Sequence, residues 1–416
     1  MRVFTRPVDG RSSAEDVLRR LAARARRRGL PAPAALTGDW FGGGAVLAPS
    51  VAVRPTAEPP VDVEPGCGPE VGGGWIGYLG YGRTDPGTHP QPRRLPDAAW
   101  GWTDHVLRRD SDGRWWFESL VPASSDLVAE LAELVAADDR PEWPWWSGQV
   151  RRPDADLYRK AVQGCVEEIA AGEIFQANIC TRFALPFTGD LVEVFALGSE
   201  RFRPARAAYV AGDWGAVASL SPELFLARHG RIVHSSPIKG TLPRRGPQDD
   251  GNAERLRSSE KDVAENVMIV DMARNDLGRV AETGRVTVPK LLDVQPHPGV
   301  WHLVSDVRAE VPADLPNSRL LAAAFPPASV TGAPKVRALE VIAELESAPR
   351  EVYCGAVGMV SPVAGLELNV AIRTLELAGG MLRLGIGGGI TADSDPEREW
   401  QECLTKAAPV LSLLGG

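Results

Sequence analysis

Residues 260–279 read EKDVAENVMIVDMARNDLGR, and this stretch predicts one long helix over residues 260–280. Ser259 stands immediately before it and Asp262 follows three residues later, an arrangement typical of a capped helix N-terminus. Asp262 and Glu265 are three residues apart, so their carboxylates lie on one helical face. Because like charges placed this close repel each other, the pair needs a cation.

A second acidic pair, Glu399 and Glu402, repeats this spacing near the C-terminus. Asp395 followed by Pro396 predicts the start of its helix, with an N-cap and then proline at the first helical position. If the two acidic faces meet, their oxygen ligands suit Mg²⁺, a hard ion that prefers carboxylates and water. The alternative is four solvated surface acids, with Lys406 pairing with Glu402 one helical turn away.

The sequence after about residue 150 alternates helical and strand-like patterns. One helix is predicted over 154–171, and strands are predicted over 174–183, 352–360, 366–377 and 381–384, the last leading into the glycine-rich run 385–390. Residues 1–150 differ in texture, since they contain nine of the twelve tryptophans and loops dense in proline and glycine. We expect this first part to be scaffolding, with a strand near a crowded packing site over 72–82.

Composition narrows the class of protein. The chain has 416 residues, 44% of them hydrophobic, and a net charge of -8, which disfavours nucleic acid or an anionic membrane as partner. The dense basic run from Arg19 to Gly29 predicts a solvated helix face. No stretch approaches 18 apolar residues and the N-terminus lacks the apolar core of a secretory signal, so we expect a soluble, cytoplasmic protein.

The five cysteines predict no disulfide framework. They are odd in number, far apart in sequence and form no C-x-x-C pair, so a structural zinc site is not indicated either. We expect each to be a small buried side chain.

Residues 237–241, Pro-Ile-Lys-Gly-Thr, predict a reactive site or an ordinary strand end. Lys239 can serve as a nucleophile or as a local positive charge. Gly240 lets the backbone approach a ligand closely, and Thr241 offers a hydroxyl. The alternative is a solvated lysine before a turn.

Further polar residues lie at predicted strand ends and turns. Glu223 precedes an apolar run, where a partly buried carboxyl can act as a general acid. Thr331–Lys335 predicts a helix start whose free N–H groups and lysine can receive an anion. Arg373 is a charge within a predicted apolar strand and needs an anionic partner. His302 is either a satisfied core histidine or a member of the site.

Eight of these segments together resemble the chorismate-utilising enzymes. They are Phe175–Asn178, Ser221–Leu226, Pro237–Arg244, Lys261–Arg279, His302–Ser305, Thr331–Lys335, Ala371–Thr374 and Asp393–Glu397. The resemblance covers residues 151–412 densely and in order. It implies an α+β fold in which large antiparallel sheets pack as a sandwich with helices outside. It also implies an N-terminal scaffolding region, 1–150, intertwined with a chorismate-binding catalytic region, 151–416.

The resemblance also assigns roles. Glu265 and Glu402 would be the main Mg²⁺ ligands, with Asp262 and Glu399 supporting them through water, and the metal would hold the ring carboxylate of chorismate. The enolpyruvyl carboxylate would be held by Tyr353, Arg373 and the amides of Gly387, Gly388 and Gly389. Glu223 would transfer a proton at the ring hydroxyl, and Thr241 would donate or accept a hydrogen bond near the reacting centre. His302 would lie against the ring, and Lys335 would support the site.

Two positions select the branch of the family. Family members that add water to chorismate have a lysine base where this chain has Gln176. Anthranilate synthases have alanine where this chain has Lys239, whereas the 4-aminobenzoate branch has lysine. The resemblance therefore implies amination of chorismate at C4, with glutamine or ammonia as nitrogen donor, for folate or antibiotic synthesis. An anthranilate-type synthase and a non-catalytic chorismate-fold binding protein stay open as alternatives.

The nitrogen donor implies a partner. The chain has no Gly-x-Cys-x-Gly elbow of a glutaminase, so we expect a separate glutamine amidotransferase subunit to supply ammonia. An aminodeoxychorismate lyase would then remove pyruvate from the product.

Overall fold

A computed structural model describes residues 2–87, 89 and 91–415. Those residues form 22 strands and nine α-helices. Strands β1–β22 are Phe4–Val8, Ala34–Trp40, Gly43–Ala48, Arg54–Pro55, Gly74–Leu79, Ala98–Thr103, His105–Arg109, Trp115–Ser119, Trp146–Ser147, Gln176–Thr188, Arg206–Gly212, Gly215–Ser221, Leu224–His229, Ile232–Ser236, Ile238–Arg244, Val286–His297, Gly299–Glu310, Gly332–Ala333, Ala356–Ser361, Gly365–Asn369, Thr374–Ala378 and Met381–Ile390. Helices α1–α9 are Ala14–Arg28, Ser125–Ala136, Ala155–Ala170, Leu191–Phe202, Asn252–Arg257, Glu260–Gly278, Asn317–Ala324, Lys335–Leu345 and Pro396–Leu411.

The strands form two antiparallel sheets, and each combines strands from before and after residue 150. Sheet A has 12 strands in the order β1-β8-β7-β3-β2-β11-β12-β21-β22-β10-β18, with β9 paired to β10. Sheet B has 10 strands in the order β15-β17-β14-β13-β20-β19-β5-β6-β4, with β16 paired to β17.

The sheets pack as a sandwich with helices outside, which confirms the predicted fold class. One apolar cluster joins the inner faces, with Leu36 and Val46 from sheet A against Ile76 and Met359 from sheet B. A second cluster packs helices such as α1 and α4 on the outer face of sheet A, and a third packs α6 and α7 on sheet B. Burying both faces of each sheet supplies the main stabilisation of the fold.

Several predicted elements are confirmed. The predicted helix over 154–171 is α3, capped by Asp154, and the predicted helix over 260–280 is α6. Ser259 caps α6 by accepting a hydrogen bond from the amide of Asp262. Asp395 caps α9, and Pro396 is its first residue. The sequence predicts these helices well because capping side chains and the 3.6-residue period both depend only on residues that are close together in the chain.

The strand predicted over 366–377 is wrong. The chain forms β20 in sheet B, crosses between the sheets at residues 370–373, and continues as β21 in sheet A. Arg373 lies at the end of this crossing with a φ of 50°, in the left-handed region. Its apolar neighbours are buried in two different layers, so an unbroken hydrophobic run looks like one strand although it serves two sheets. Likewise, the strand predicted over 352–360 begins only at residue 356, after a turn.

The basic run is only partly a solvated face, since residues 26–28 are exposed. Arg19, Arg20 and Arg24 of α1 are all buried. Nη1 of Arg19 lies 2.6 Å from the carboxylate of Glu200, and its Nε lies 2.8 Å from that of Glu193, so α4 supplies the compensating charge. Composition alone does not show partners that lie 180 residues away.

The cysteine prediction is correct in part. Cys165, Cys354 and Cys403 are buried, Cys180 is partly buried, and Cys67 is exposed in a surface loop. No disulfide joins any of the five. None of the helices in the described ranges is long and apolar enough to span a bilayer.

Candidate active site

Lys239 lies on β15 at the edge of sheet B, beside the N-terminal half of α6. Its side chain is 16% exposed, and its Nζ lies 3.4 Å from a carboxylate oxygen of Glu265. Gly240 has a φ of 82°, and a Cβ placed on it would lie 3.1 Å from Cγ of Asp262. Glycine is therefore required here because both the backbone angle and the close approach of α6 exclude a side chain.

Glu223 is a buried carboxyl in the short link between β12 and β13. The backbone amide of Glu223 donates a hydrogen bond to the hydroxyl of Ser221, and this bond fixes the turn. Burial raises the pKa of Glu223 to about 7, and this rise is opposed by a hydrogen bond from Ser329 and by the charges of Lys239 and Arg373. A carboxyl poised near neutral pH can both donate and accept a proton, as general acid–base chemistry requires.

Arg373 approaches Glu223 from the crossing between the sheets. Burial lowers the pKa of Arg373, and the carboxylate of Glu223 opposes this change. A guanidinium keeps its proton even so, which means that a partly buried positive charge faces the site. Such a group favours an anionic ligand, because the attraction to the ligand would offset the free energy that the guanidinium loses when it is removed from water.

His302 and Thr241 lie opposite each other where β17 pairs with β15. Oγ1 of Thr241 and Nδ1 of His302 are 2.8 Å apart. Burial lowers the pKa of His302 to about 3, helped by the positive charge of Arg373 and by His297. His302 is therefore a neutral imidazole near pH 7. It can form hydrogen bonds but is not suited to act as a general acid at that pH.

Gln176 begins β10 in sheet A and lies near Lys239 across Gly389. A Cβ on Gly389 would collide with Nε2 of Gln176 and would lie 3.1 Å from Nζ of Lys239. The side chain of Gln176 is only 3% exposed, yet no group of the described residues hydrogen bonds its Oε1. A buried amide oxygen without a donor is costly, so this atom marks a place for a ligand with an N–H or O–H group.

The two acidic pairs lie on α6 and α9, separated by lysine side chains. Nζ of Lys261 lies 3.9 Å from Glu265 and 3.6 Å from Glu399, while Nζ of Lys406 lies 2.7 Å from Glu402. The predicted pairing of Lys406 with Glu402 is thus present. Within the described ranges, no three His, Cys, Asp or Glu side chains converge closely enough to ligate a metal together.

The donor chemistry nevertheless fits a hard divalent cation. All four candidates are carboxylates, and an ammonium group already lies between the two helices. A Cβ on Gly388 would lie 3.1 Å from Oε2 of Glu399, so only glycine leaves the strand this close to that carboxylate.

Tyr353 lies against the glycine-rich part of β22, and Lys335 lies at the start of α8. The ring of Tyr353 packs over Gly385, and its hydroxyl lies 3.9 Å from Sγ of Cys180. The structure directs Lys335 inward, since its ammonium donates to Asp276 and to the carbonyls of Ala324 and Pro326. The ammonium of Lys335 is therefore already paired with Asp276 and is not free to receive an anionic ligand, and α8 starts at Lys335 itself.

Sequence reasoning gave no role to three residues of the site. Ser329 hydrogen bonds Glu223, and the hydroxyl of Ser394 donates to Glu399 at 2.8 Å. Neither serine has a sequence signal, because each reaches its partner through a loop. Lys261 did have a sequence signal, since it precedes Glu265 by one helical turn.

The fold of two packed antiparallel sheets, with this group of side chains beside an acidic helix pair, is that of a chorismate-utilising enzyme. Residues 47–412 match the model of a protein family described as chorismate binding enzyme. The chain belongs to this family.

Relatives with several different enzyme names match this chain. It is 39% identical over 355 residues to aminodeoxychorismate synthase component 1 of Escherichia coli, a match that covers 82% of this chain and 77% of that protein. It is 34% identical over 352 residues to anthranilate synthase component 1 of Methanothermobacter thermautotrophicus, covering 82% and 74%. The fold matches the menaquinone-specific isochorismate synthase of Escherichia coli with a TM-score of 0.75 at 21% identity, covering 99% and 94%.

Proposed function

We propose that this chain is component I of an aminodeoxychorismate synthase, which aminates chorismate at C4 to give 4-amino-4-deoxychorismate. The position of Lys239 carries the proposal. Its amine lies close to Gln176 and Glu265, and Glu223 lies close enough for the two charges to interact. The relative of the same name at 39% identity supports this branch.

Binding depends on the two carboxylates of chorismate. Arg373 would hold the enolpyruvyl carboxylate, together with the amides of Gly387–Gly389 and the hydroxyl of Tyr353. Glu265 and Glu402 would hold Mg²⁺, with Asp262 and Glu399 behind them, and the bound metal supplies positive charge for the ring carboxylate. His302 would lie against the ring, with Thr241 fixing its orientation.

The first chemical step opens C4. In its unprotonated form the amine of Lys239 attacks C2, both ring double bonds shift, and the C4–O bond breaks. Glu223 gives its proton to the departing hydroxyl, which leaves as water, and a carboxyl whose pKa is about 7 still carries that proton near neutral pH. The attacking nitrogen keeps both of its protons as a secondary ammonium, so it can leave as a neutral amine in the second step.

The second step places nitrogen at C4. Ammonia attacks C4, both ring double bonds return to the positions they have in chorismate, and the C2–N bond breaks to release the lysine amine. The carboxylate of Glu223 takes the proton that the new C4 nitrogen loses, so the proton cycle closes within the site. Gln176 cannot deprotonate water, but its unpartnered Oε1 can accept a hydrogen bond from ammonia. Both properties favour amination over hydration.

The proposal includes partners. A separate glutamine amidotransferase subunit would supply ammonia, as the component naming of the relatives supports. A downstream lyase would convert the product to 4-aminobenzoate for folate or a specialised metabolite. A cytoplasmic location stays a prediction.

One assay tests the reaction. Purified protein is incubated with chorismate, Mg²⁺ and an ammonium salt, and the products are resolved by chromatography and mass spectrometry. We expect 4-amino-4-deoxychorismate, with 4-aminobenzoate appearing only after lyase is added. Anthranilate as the main product would replace the proposal with an anthranilate-type synthase, which the Methanothermobacter relative favours. Isochorismate would overturn the role of Gln176, and no turnover at high ammonium would revive the non-catalytic binding protein.

A further inference from the structure

Lys261 lies at the centre of the acidic pairs on α6 and α9. Its Nζ is 3.9 Å from Oε1 of Glu265 on its own helix and 3.6 Å from Oε1 of Glu399 on α9. The two partners are 10% and 5% exposed, whereas the lysine stem is 54% exposed. The ammonium thus reaches from solvent into a carboxylate pair that is itself almost shielded.

The Lys261 ammonium contacts one acid of each pair. The other two lysines nearby each contact a single acid of the group, Lys239 to Glu265 and Lys406 to Glu402. Among these three lysines, only Lys261 joins the two helices.

We propose that the Lys261 ammonium is a tethered placeholder for the divalent cation. It occupies the space between Glu265 and Glu399 while no metal is bound, and it moves out to solvent when the metal enters. This inference rests on the proposed function, because it takes Glu265 as a metal ligand and Glu399 as an acid that supports the metal.

The placeholder solves an electrostatic problem of the empty site. Carboxylates that are nearly shielded from water repel one another strongly, and removing their cation would force the helices apart or raise the carboxylate pKa values. A lysine on a long flexible stem supplies the charge and can leave, since its exposed side gives it a path to water. The metal must therefore compete with an internal cation, which lowers its apparent affinity.

Lys261→Met tests this role, because methionine keeps a flexible apolar stem without the charge. Calorimetric titration with MgCl₂ in the absence of chorismate should give a dissociation constant about tenfold lower for Lys261→Met than for wild type. This difference should shrink at high NaCl, where the lysine competes less. Thermal unfolding gives a second readout: the variant should melt lower than wild type without Mg²⁺ and gain more from adding it.

Lys160→Met is the matched control, because Lys160 is an exposed lysine on α3. Its Mg²⁺ affinity should equal that of wild type. An unchanged or weaker affinity in Lys261→Met would overturn the placeholder while leaving the metal site in place. A raised KM for chorismate with unchanged Mg²⁺ affinity would assign Lys261 to the substrate and also overturn it. Absence of Mg²⁺ binding in all three proteins would instead reject the metal site of the proposed function.

Discussion

The two halves of the site handle charge in opposite ways. The strand half, with Glu223, Arg373 and His302, buries its titratable groups, and desolvation is the largest cause of each pKa shift. The helix half, on α6 and α9, pairs its acids with lysines, such as Lys406 with Glu402. Desolvation brings a carboxyl to the pKa needed for proton transfer, whereas pairing keeps carboxylates ready for a cation.

This contrast separates two kinds of sensitivity. A substitution in the strand half should change the chemical step and its pH dependence. A substitution in the helix half should change how much metal the protein needs and leave the chemistry at saturating metal closer to that of wild type.

Of Glu223→Gln, Glu402→Gln and Lys406→Met, the first should have the largest effect. Glutamine fills the same space but cannot exchange a proton, so kcat for ammonium-dependent amination should fall by about 10²–10⁴-fold. In wild type, kcat/KM at constant free ammonia should fall as pH rises through about 7, because the pKa of Glu223 lies there. Product assays from pH 6 to 9 check both points, and a wild-type profile that stays flat across pH 7 would remove Glu223 as the acid.

The same substitution has an opposite effect on stability. The pKa of Glu223 is raised by folding from its ordinary value of 4.5 to about 7, so its contribution is fully present below pH 4.5 and lost as pH rises to about 7. Above pH 7 the buried carboxylate is charged, and Glu223→Gln should therefore stabilise the fold by up to about 3 kcal/mol at pH 8. Urea unfolding at pH 5 and pH 8 measures this. Equal stability differences at the two pH values would contradict the raised pKa.

Glu402→Gln should have an intermediate effect of a different kind. Losing one proposed metal ligand should raise the Mg²⁺ concentration needed for half-maximal activity about 10–100-fold. Glu397→Gln is the matched control, since Glu397 lies on the same helix but pairs with Arg159 at the surface. A Mg²⁺ requirement that does not change in Glu402→Gln would mean that the helix half holds no metal through this residue.

Lys406→Met should have the smallest effect. Both partners of the Lys406–Glu402 pair are nearly half exposed, and such pairs contribute about 0–1 kcal/mol. We expect a change in unfolding free energy below about 1 kcal/mol at 0.15 M salt. A loss of several kcal/mol would show that the helix half depends on buried charge as the strand half does.

The sequence predicted local features of the site well. The helices α6 and α9, their caps and the spacing of their acids depend on residues only three or four positions apart. Lys239 and Glu223 were also identified as candidates, because charged residues beside apolar runs are visible without a structure.

Long-range features could not be predicted from the sequence. The position of Arg373 depends on the chain crossing from sheet B to sheet A, and an unbroken apolar run conceals such a crossing. The burial of Arg19 depends on two glutamates of α4, and the position of Lys335 depends on Asp276 in α6. In each case the partner is determined by packing between distant segments, which hydrophobic periodicity does not encode.

The central claim is that the amine of Lys239 forms a covalent bond to chorismate before ammonia adds. Intact-protein mass spectrometry after incubation with chorismate and Mg²⁺, without ammonia or glutamine, tests this most directly. We predict a mass gain equal to chorismate minus water, located by peptide mapping to Lys239 and absent from Lys239→Ala, which should also lose amination. An adduct of equal yield in Lys239→Ala, or undiminished amination by that variant, would contradict the account.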